Sequence, residues 1–173
     1  MTWTVVILVF VTLQRLGELW LAQRNTARLL ERGAIEHAPK HYLAIVALHT
    51  AWLAGLWYVV LTSTVTIAAA WLVVFVILQG LRVWVLMTLG ERWTTRIIVV
   101  PGEARIRTGP FRFLNHPNYT VVIGEIAALP LVFSLVWYAI AFSIANALLL
   151  TLRIWHENRA LEEAEATAVT LAS

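Results

Sequence analysis

The segment from Thr108 to Tyr119 holds a dense set of groups that could take part in chemistry. It reads Thr-Gly-Pro-Phe-Arg-Phe-Leu-Asn-His-Pro-Asn-Tyr and combines turn formers, aromatic rings and one imidazole. Gly109-Pro110 predicts a turn, and Pro117 suits the first turn of a helix, which places His116 at that helix's electropositive end. Such a terminus can receive a carboxylate. The alternative is a proline-initiated helix whose histidine and tyrosine only mark a membrane interface.

A second group lies at the end of the last apolar block. Arg153 and Glu157 are spaced i, i+4 and therefore share one face of a helix. The simplest interpretation is a surface ion pair beside a basic membrane-edge anchor. The two segments together, however, supply an acid, a hydrogen-bond donor and aromatic faces. A methyl donor with an ammonium, a carboxylate and a sulfonium requires these groups.

Ionisable residues also lie inside the apolar blocks. Arg15 and Glu18 are in the first block, with Gln14 beside them, and Arg82 is in the third. Each such group costs about 3 kcal/mol on insertion scales, so they normally pair with one another inside a bundle. We therefore predict Arg–Glu pairing that joins helices, and the alternative is that these residues line a substrate cavity.

The composition argues against several classes of site. The absence of cysteine excludes disulfides, thiolate nucleophiles and cysteine metal sites. The sequence has no phosphate-binding loop, dinucleotide glycine fingerprint or Gly-x-Ser-x-Gly elbow. His37, His41 and His49 lack carboxylates at ligand spacing, so we expect no metal site. The arginines fall beside apolar blocks, where membrane lipids explain them, so we expect no nucleic acid partner.

Long apolar blocks must position these residues. The chain of 173 residues is 60% hydrophobic and 13% charged, against about 25% charged in a soluble domain. Since about 20 apolar residues cross a bilayer as a helix, we predict one domain, 1–173, that is an all-α polytopic integral membrane helical bundle of about five spans. The short fourth block leaves open whether the last two blocks, separated near Pro130, are tilted spans or a hairpin that enters and returns. The blocks run from about Trp3 to Leu21, Leu43 to Leu61, Val65 to Leu89, Tyr119 to Phe133 and Leu135 to Trp155.

The basic residues set the predicted orientation. Arginine and lysine are concentrated after the first and third blocks, whereas the linker Thr62–Thr64 carries none. By the positive-inside rule, the two basic loops and the tail from Arg159 face the cytoplasm, and the N-terminus lies outside. The segment from Gly90 to Asn118 is then cytoplasmic.

The C-terminal half resembles the isoprenylcysteine carboxyl methyltransferase family of integral membrane enzymes. The shared signature is the Gly109-Pro110-Phe111 turn, then His116-Pro117-x-Tyr119, then Arg153 and Glu157. The N-terminal half is similar to a small bacterial branch found beside type III polyketide synthases, which methylates alkylpyrone-type hydroxyls. Its matching residues are Arg15, Glu18, Arg24-Asn25, Gly33, Glu36 and His41-Tyr42.

The resemblance implies an S-adenosylmethionine-dependent methyltransferase that acts on a lipophilic acceptor, through a carboxylate or an acidic enol. It implies a bacterial inner-membrane protein whose C-terminal half forms a cytoplasmic-side cofactor pocket, with the acceptor entering from the bilayer. Arg153 is implied to pair with the acceptor's oxygen anion. The residues implied to bind the cofactor are Glu103, Ala104, Arg105, Ile106, Phe111, His116, Pro117, Asn118, Tyr119 and Glu157.

Two positions depart from the family pattern, and two other functions stay open. Asn115 stands where an arginine is common before His-Pro, and Asn158 where a second glutamate often follows Glu157, which weakens the match to prenylcysteine itself.

An NADPH-dependent membrane reductase of the sterol-reductase type shares a His-Pro-Asn-Tyr-like motif followed by Gly-Glu, here Gly124-Glu125. A nicotinamide would need more basic phosphate contacts and a longer chain. A non-enzymatic membrane transporter or scaffold is the other alternative.

Overall fold

The computed structural model describes residues 2–101, 103 and 106–172, apart from the side chains of 39–41 and 163–172. Within this part of the chain, two short strands, β1 (Ile35–His37) and β2 (Ile97–Val99), pair antiparallel. The prediction of an all-α polytopic membrane bundle is confirmed, and the strand pair is the one departure from it in the described residues. The helices are α1 (Thr2–Glu31), α2 (Pro39–Thr62), α3 (Ala69–Leu89), α4 (Pro117–Val132) and α5 (Val136–Ala172).

Four of the described helices, all except α4, are long and apolar enough to cross a bilayer. The 16 residues of α4 span about 24 Å at 1.5 Å per residue. This helix nevertheless traverses the bundle, because its last turn meets the α2–α3 connection, where the Ala68 N–H donates to the Val132 carbonyl at 2.8 Å. Ser134, at φ 61°, makes the turn to α5 and accepts a hydrogen bond from Thr66 at 3.1 Å. The helices α4 and α5 therefore run antiparallel across the full depth of the bundle, rather than forming a hairpin that turns back inside it.

The chain reverses direction after α1 at a glycine. The apolar block that ends near Leu21 continues as helix to Glu31, and Gly33 then adopts a φ of 82°. The Ala34 N–H donates to the Leu29 carbonyl at 3.0 Å, which closes a Schellman-type end. This turn delivers β1 to its partner β2, so the strands join the α1–α2 and α3–α4 connections on one side of the bundle, here called the strand side.

The apolar core fills the half of the bundle far from the strand side. Gly124 of α4 lets α3 approach closely, because a Cβ there would lie 2.7 Å from a Leu78 methyl carbon. Most of the buried polar residues and the smaller cavity lie toward the strand side, and the larger cavity extends from there into the bundle. The core residues are Leu8, Val11, Trp52, Leu56, Val60, Phe75, Ile126, Ala128, Leu129, Val132 and Phe133.

Candidate active site

Arg153 of α5 is held near the strand side by hydrogen bonds at two of its nitrogens. Its Nε donates to the Tyr119 hydroxyl at 2.8 Å, and its Nη2 donates to the Thr95 carbonyl at 2.8 Å. The residue is only 7% exposed. Its other guanidinium donors have no partner among the residues that the structure describes. A fixed, buried cation with unused donors is suited to bind an oxygen anion of a ligand.

Tyr119 of α4 links Arg153 to Glu157. The phenol donates a hydrogen bond to the Glu157 carboxylate while it accepts one from Arg153. The i, i+4 pair on α5 therefore interacts through a tyrosine from another helix. Tyr119 lies in the first turn of α4 and is 6% exposed, so both hydrogen bonds of its phenol are made away from solvent.

His116 lies against the same carboxylate. Its Nε2 is 3.1 Å from the Asn158 side-chain oxygen, and because an amide oxygen only accepts, Nε2 carries a proton. Its Nδ1 is 3.8 Å from Glu157 Oε1, and its ring stacks on Tyr119 with centroids 5.4 Å apart. Asn158, a departure from the family pattern, therefore orients the imidazole beside Glu157.

A cavity of about 130 Å³ lies over this cluster on the strand side. Its wall joins the Glu157 carboxylate and the His116 imidazole to aliphatic side chains of β2. Arg92 and Arg96 also line it. The arrangement suits an amphipathic molecule with a cationic group near Glu157 and an anionic group near an arginine. Five of the residues implied to bind the cofactor line it: Phe111, His116, Asn118, Tyr119 and Glu157.

The backbone before α4 explains how these residues are brought together. Gly109 has a φ of 56°, and a Cβ there would lie 2.5 Å from the Thr88 hydroxyl oxygen. Glycine therefore lets the turn pack directly on the end of α3. The chain then passes Phe111, which lines the cavity, and reaches His116 immediately before Pro117 begins α4.

Glu103 joins the end of α1 to the segment after α3. Its Oε1 is 2.6 Å from Arg32 Nη2, and its Oε2 pairs with Arg92. Arg92 lines the smaller cavity, so Glu103 contributes to that cavity by holding the Arg92 side chain. The carboxylate is thereby committed to two arginines.

The other four residues implied to bind the cofactor have different positions. Pro117 is buried as the first residue of α4, and Ile106 is half-buried. Neither side chain is among those that line the smaller cavity in the described part of the chain. Ala104 and Arg105 lie outside the described residues.

A larger cavity of about 470 Å³ lies inside the bundle between α1, α2 and α5. Its volume falls within the range of about 300–1,000 Å³ that is typical of ligand sites. It extends from Tyr42 near the strands to Trp57, whose indole N–H donates to Thr12 at 3.0 Å. Two of its lining residues, Leu16 and Val46, are 58% and 39% exposed on the outer surface of the bundle. The cavity therefore reaches the surface that faces lipid.

The two cavities share a wall. Arg153 and Tyr119 line both of them, together with Thr94 and Asn118. The guanidinium and the phenol thus stand between a chamber with a carboxylate and a mainly apolar chamber inside the membrane bundle. Molecules bound in the two chambers would meet at these side chains.

Glu125 of α4 is the centre of a buried ion cluster. Its carboxylate, 1% exposed, accepts hydrogen bonds from Arg82 Nε at 2.9 Å, Gln79 Nε2 at 2.8 Å and Arg15 Nη2 at 2.5 Å. Arg15 also pairs with Glu18 at 2.7 Å. The predicted Arg–Glu pairing is confirmed, and Arg15, Glu18 and Arg82 also line the larger cavity. Sequence reasoning missed Glu125 as the partner, although its place inside an apolar block was the signal.

Residues of the N-terminal resemblance attach that half of the chain to the C-terminal half. Glu36 pairs with Arg96 at 2.9 Å, and the Arg96 guanidinium lies over the Tyr42 ring, 4.8 Å from its centroid. Asn25 donates to the Trp93 carbonyl at 2.9 Å. Tyr42 and Trp93 line the larger cavity, so these contacts close its strand-side end.

Comparison with known proteins gives the chain its family. The model of the isoprenylcysteine carboxyl methyltransferase (ICMT) family matches residues 71–163, which include the smaller cavity's lining residues. The uncharacterized protein YpbQ of Bacillus subtilis (strain 168) is 37% identical over 166 residues, covering 94% of this chain and 98% of that protein. No solved structure matches the chain.

The family match favours a methyltransferase over the reductase and transporter alternatives. Glu125, which contributed to the reductase resemblance, is occupied by Arg15 and Arg82 inside the bundle. The match also agrees with the four described helices that can cross a membrane. The chain belongs to the isoprenylcysteine carboxyl methyltransferase family of integral membrane proteins.

Proposed function

We propose that this protein transfers a methyl group from S-adenosylmethionine to an oxygen of a lipophilic acceptor. The acceptor is an acidic enol, such as an alkylpyrone, or a prenylcysteine-like carboxylate. The observation that carries the proposal is the wall shared by the two cavities, formed in part by Arg153 and Tyr119. Direct transfer depends mainly on proximity and orientation, which two adjoining chambers supply.

The smaller cavity has groups that fit S-adenosylmethionine. Glu157 would accept hydrogen bonds from the ammonium group, and Arg92 or Arg96 would pair with the carboxylate. Phe111 and the aliphatic residues of β2 would cover the adenosine. When bound, the cofactor supplies an electrophilic methyl group on a sulfonium. The cavity is about 130 Å³, which is smaller than the roughly 300 Å³ of a site that encloses a whole ligand. Part of a bound S-adenosylmethionine would therefore extend beyond this cavity.

Arg153 would bind and position the reacting oxygen. Its guanidinium stays charged, and Tyr119 and Thr95 fix its orientation, which leaves donors directed to a ligand anion. This pairing favours the ionised acceptor, so an acidic enol or carboxylate needs no separate base. The acceptor's apolar tail would occupy the larger cavity and enter from lipid past Leu16 and Val46.

The strand side of the bundle is proposed to face the cytoplasm of a bacterial cell, across its inner membrane. The basic loops lie on this side, while the α2–α3 and α4–α5 connections carry no basic residue. The polar cofactor would then reach the smaller cavity from the cytoplasm, and the acceptor would reach the larger one from the bilayer. This separation of access explains why the site is built at a membrane boundary.

Ligand binding tests the proposed function. Purified protein in detergent should bind labelled S-adenosylmethionine saturably and should not bind a reduced nicotinamide cofactor. With methyl-labelled cofactor, label should pass to an alkylpyrone or a prenylcysteine analogue. Binding of reduced nicotinamide without binding of S-adenosylmethionine would contradict the proposal and favour the reductase.

A further inference from the structure

Two polar residues that the proposed transfer does not use line the larger cavity: His49 of α2 and Asn146 of α5. Asn146 is 2% exposed, yet its carboxamide has no hydrogen-bond partner among the residues that the structure describes. Its amide atoms are nevertheless not sealed from the cavity. Because buried polar groups are nearly always hydrogen-bonded, this amide is expected to bind something that enters the cavity.

His49 presents the complementary half of the pair. Its Nδ1 is 2.8 Å from the Ile45 carbonyl oxygen, and since a carbonyl only accepts, Nδ1 carries the proton. In the neutral ring, Nε2 is then a hydrogen-bond acceptor. Nε2 has no partner in the described part of the chain. A ligand group that donates a hydrogen bond would satisfy it.

The charged and hydroxyl groups near His49 and Asn146 already have partners. Arg15 and Arg82 line the same cavity, but Glu18 and Glu125 already pair with them. Thr12 is likewise occupied, by Trp57 and by its own helix backbone. The Arg15 Nε and Trp52 Nε1 atoms also lack partners but are sealed from the cavity, and Thr50 is exposed. Among the more buried residues of this stretch of the wall, His49 and Asn146 therefore carry the unpartnered polar groups that a ligand in the cavity can reach.

Asn146 lies about two helical turns from Arg153 along α5. Asn146 and Arg153 are seven residues apart and lie on one face of α5, which places their Cα atoms about 10 Å apart along the axis. Because the longer arginine side chain leans toward the N-terminus of the helix, the gap between the two polar groups narrows to roughly 6–10 Å. A hydrocarbon tail alone would leave both polar groups unsatisfied.

We infer that His49 and Asn146 form a second acceptor subsite, which recognises a hydroxyl group on the acceptor's chain. The inference rests on the proposed function, in which the acceptor occupies the larger cavity. The chain hydroxyl would donate to His49 Nε2 and accept from the Asn146 amide. The acceptor class is accordingly a lipid with an acidic oxygen at Arg153 and a hydroxyl roughly 6–10 Å farther along its chain.

The test compares two alkylpyrones of equal length, one of which carries a tail hydroxyl roughly 6–10 Å from its ring hydroxyl. Binding is followed by tryptophan fluorescence, since Trp52, Trp57 and Trp93 line the cavity. The unmodified protein should bind the hydroxylated compound about tenfold more tightly. His49→Phe and Asn146→Leu should remove most of this preference, so that the ratio of the two affinities falls toward one.

Ser143→Ala is the matched control. Ser143 is a polar residue of α5 one turn from Asn146, but it does not line the cavity, so the preference should persist. Equal affinity of the unmodified protein for both compounds would overturn the subsite, and this comparison does not depend on any variant's folding. Equal losses for both compounds in the variants would also overturn it. A hydroxyl preference without methyl transfer to either compound would refute the proposed function and leave the subsite standing.

Discussion

The single charge of Glu157 faces the smaller cavity between a phenol and an imidazole. Tyr119 donates to it, and His116 lies 3.8 Å away. Glu157 is the one acidic residue among the described residues that line this cavity, so its carboxylate is the group suited to a cationic ligand. This residue therefore provides the clearest test of cofactor binding at the residue scale.

Glu157→Gln retains the size of the side chain and removes its charge. We expect affinity for S-adenosylmethionine to fall by about 1.5–3 kcal/mol, the range for a hydrogen bond to a charged group. Calorimetry on folded protein measures this. Glu91→Gln is the control, because Glu91 is 65% exposed and its one ion pair within the described residues is with Arg28 at the surface. Unchanged affinity in Glu157→Gln would remove this carboxylate from the cofactor site.

Arg153 should serve the acceptor rather than the cofactor. Arg153→Lys keeps the charge but loses the fixed fork that contacts Tyr119 and Thr95. We expect kcat/KM for the acceptor to fall about tenfold or more while cofactor affinity stays nearly intact. Steady-state rates per folded molecule and cofactor titration separate the two effects. Arg112→Lys, at an exposed arginine, is the control. Full turnover of Arg153→Lys would identify the residue as only a membrane-edge anchor.

The sequence predicted where the motif residues lie along the helices, but it did not predict which of them form hydrogen bonds with one another. Turn formers and helix starts act locally, so the sequence indicated that His116 and Tyr119 lie at a helix terminus. The bridge from Arg153 through Tyr119 to Glu157 depends on how α4 packs on α5, which no local pattern specifies. Asn146 escaped notice because one amide in an apolar block signals a site only once a cavity is seen beside it.

At the scale of elements, α4 depends on its pairing with α1 and α3. Glu125 joins these helices through Arg15 and Arg82. Burying two cations without their carboxylate is far more costly than never burying the charges at all. The cluster should therefore behave as one unit in stability measurements.

Glu125→Leu should destabilise the folded protein by about 3–5 kcal/mol, because it leaves Glu18 as the one carboxylate that Arg15 and the buried Arg82 share in the described part of the chain. Adding Arg82→Met should recover part of this loss, so the double variant should be more stable than the sum of the single effects predicts. Unfolding in detergent measures the cycle. Glu36→Gln is the control, since the Glu36–Arg96 pair is half-exposed and worth at most about 1 kcal/mol. Additive losses at Glu125 and Arg82 would contradict the coupling.

Element boundaries were predictable where they follow hydrophobicity. The third apolar block ends at Leu89, as α3 does, and the fourth corresponds closely to α4. The first block was predicted to end near Leu21, because the residues from there to Glu31 are mostly polar and do not continue the apolar block. These residues nevertheless favour helix, and α1 continues to Glu31. The strands β1 and β2 are three residues each, and their pairing depends on contact between distant loops. Such short strands leave no reliable periodicity in the sequence.

At the scale of the whole molecule, the bundle separates its two chambers by polarity. The smaller cavity lies beside the strands and basic loops, and the larger one extends inward to Trp57. In the proposed reaction, a cofactor that remains in water and an acceptor that remains in lipid would then meet without either crossing the other's phase. This arrangement requires the strand side to face the compartment that contains the cofactor.

The orientation can be tested with introduced cysteines, because the chain has none of its own. Thr64→Cys lies in the exposed α2–α3 connection, and Arg107→Cys lies on the strand side, where it is also exposed. If the basic loops are cytoplasmic, a membrane-impermeant maleimide added to intact cells should label Thr64→Cys and not Arg107→Cys. Permeabilised cells should show labelling of both, which controls for accessibility. Labelling of Arg107→Cys in intact cells would invert the orientation and place the cofactor cavity outside the cytoplasm.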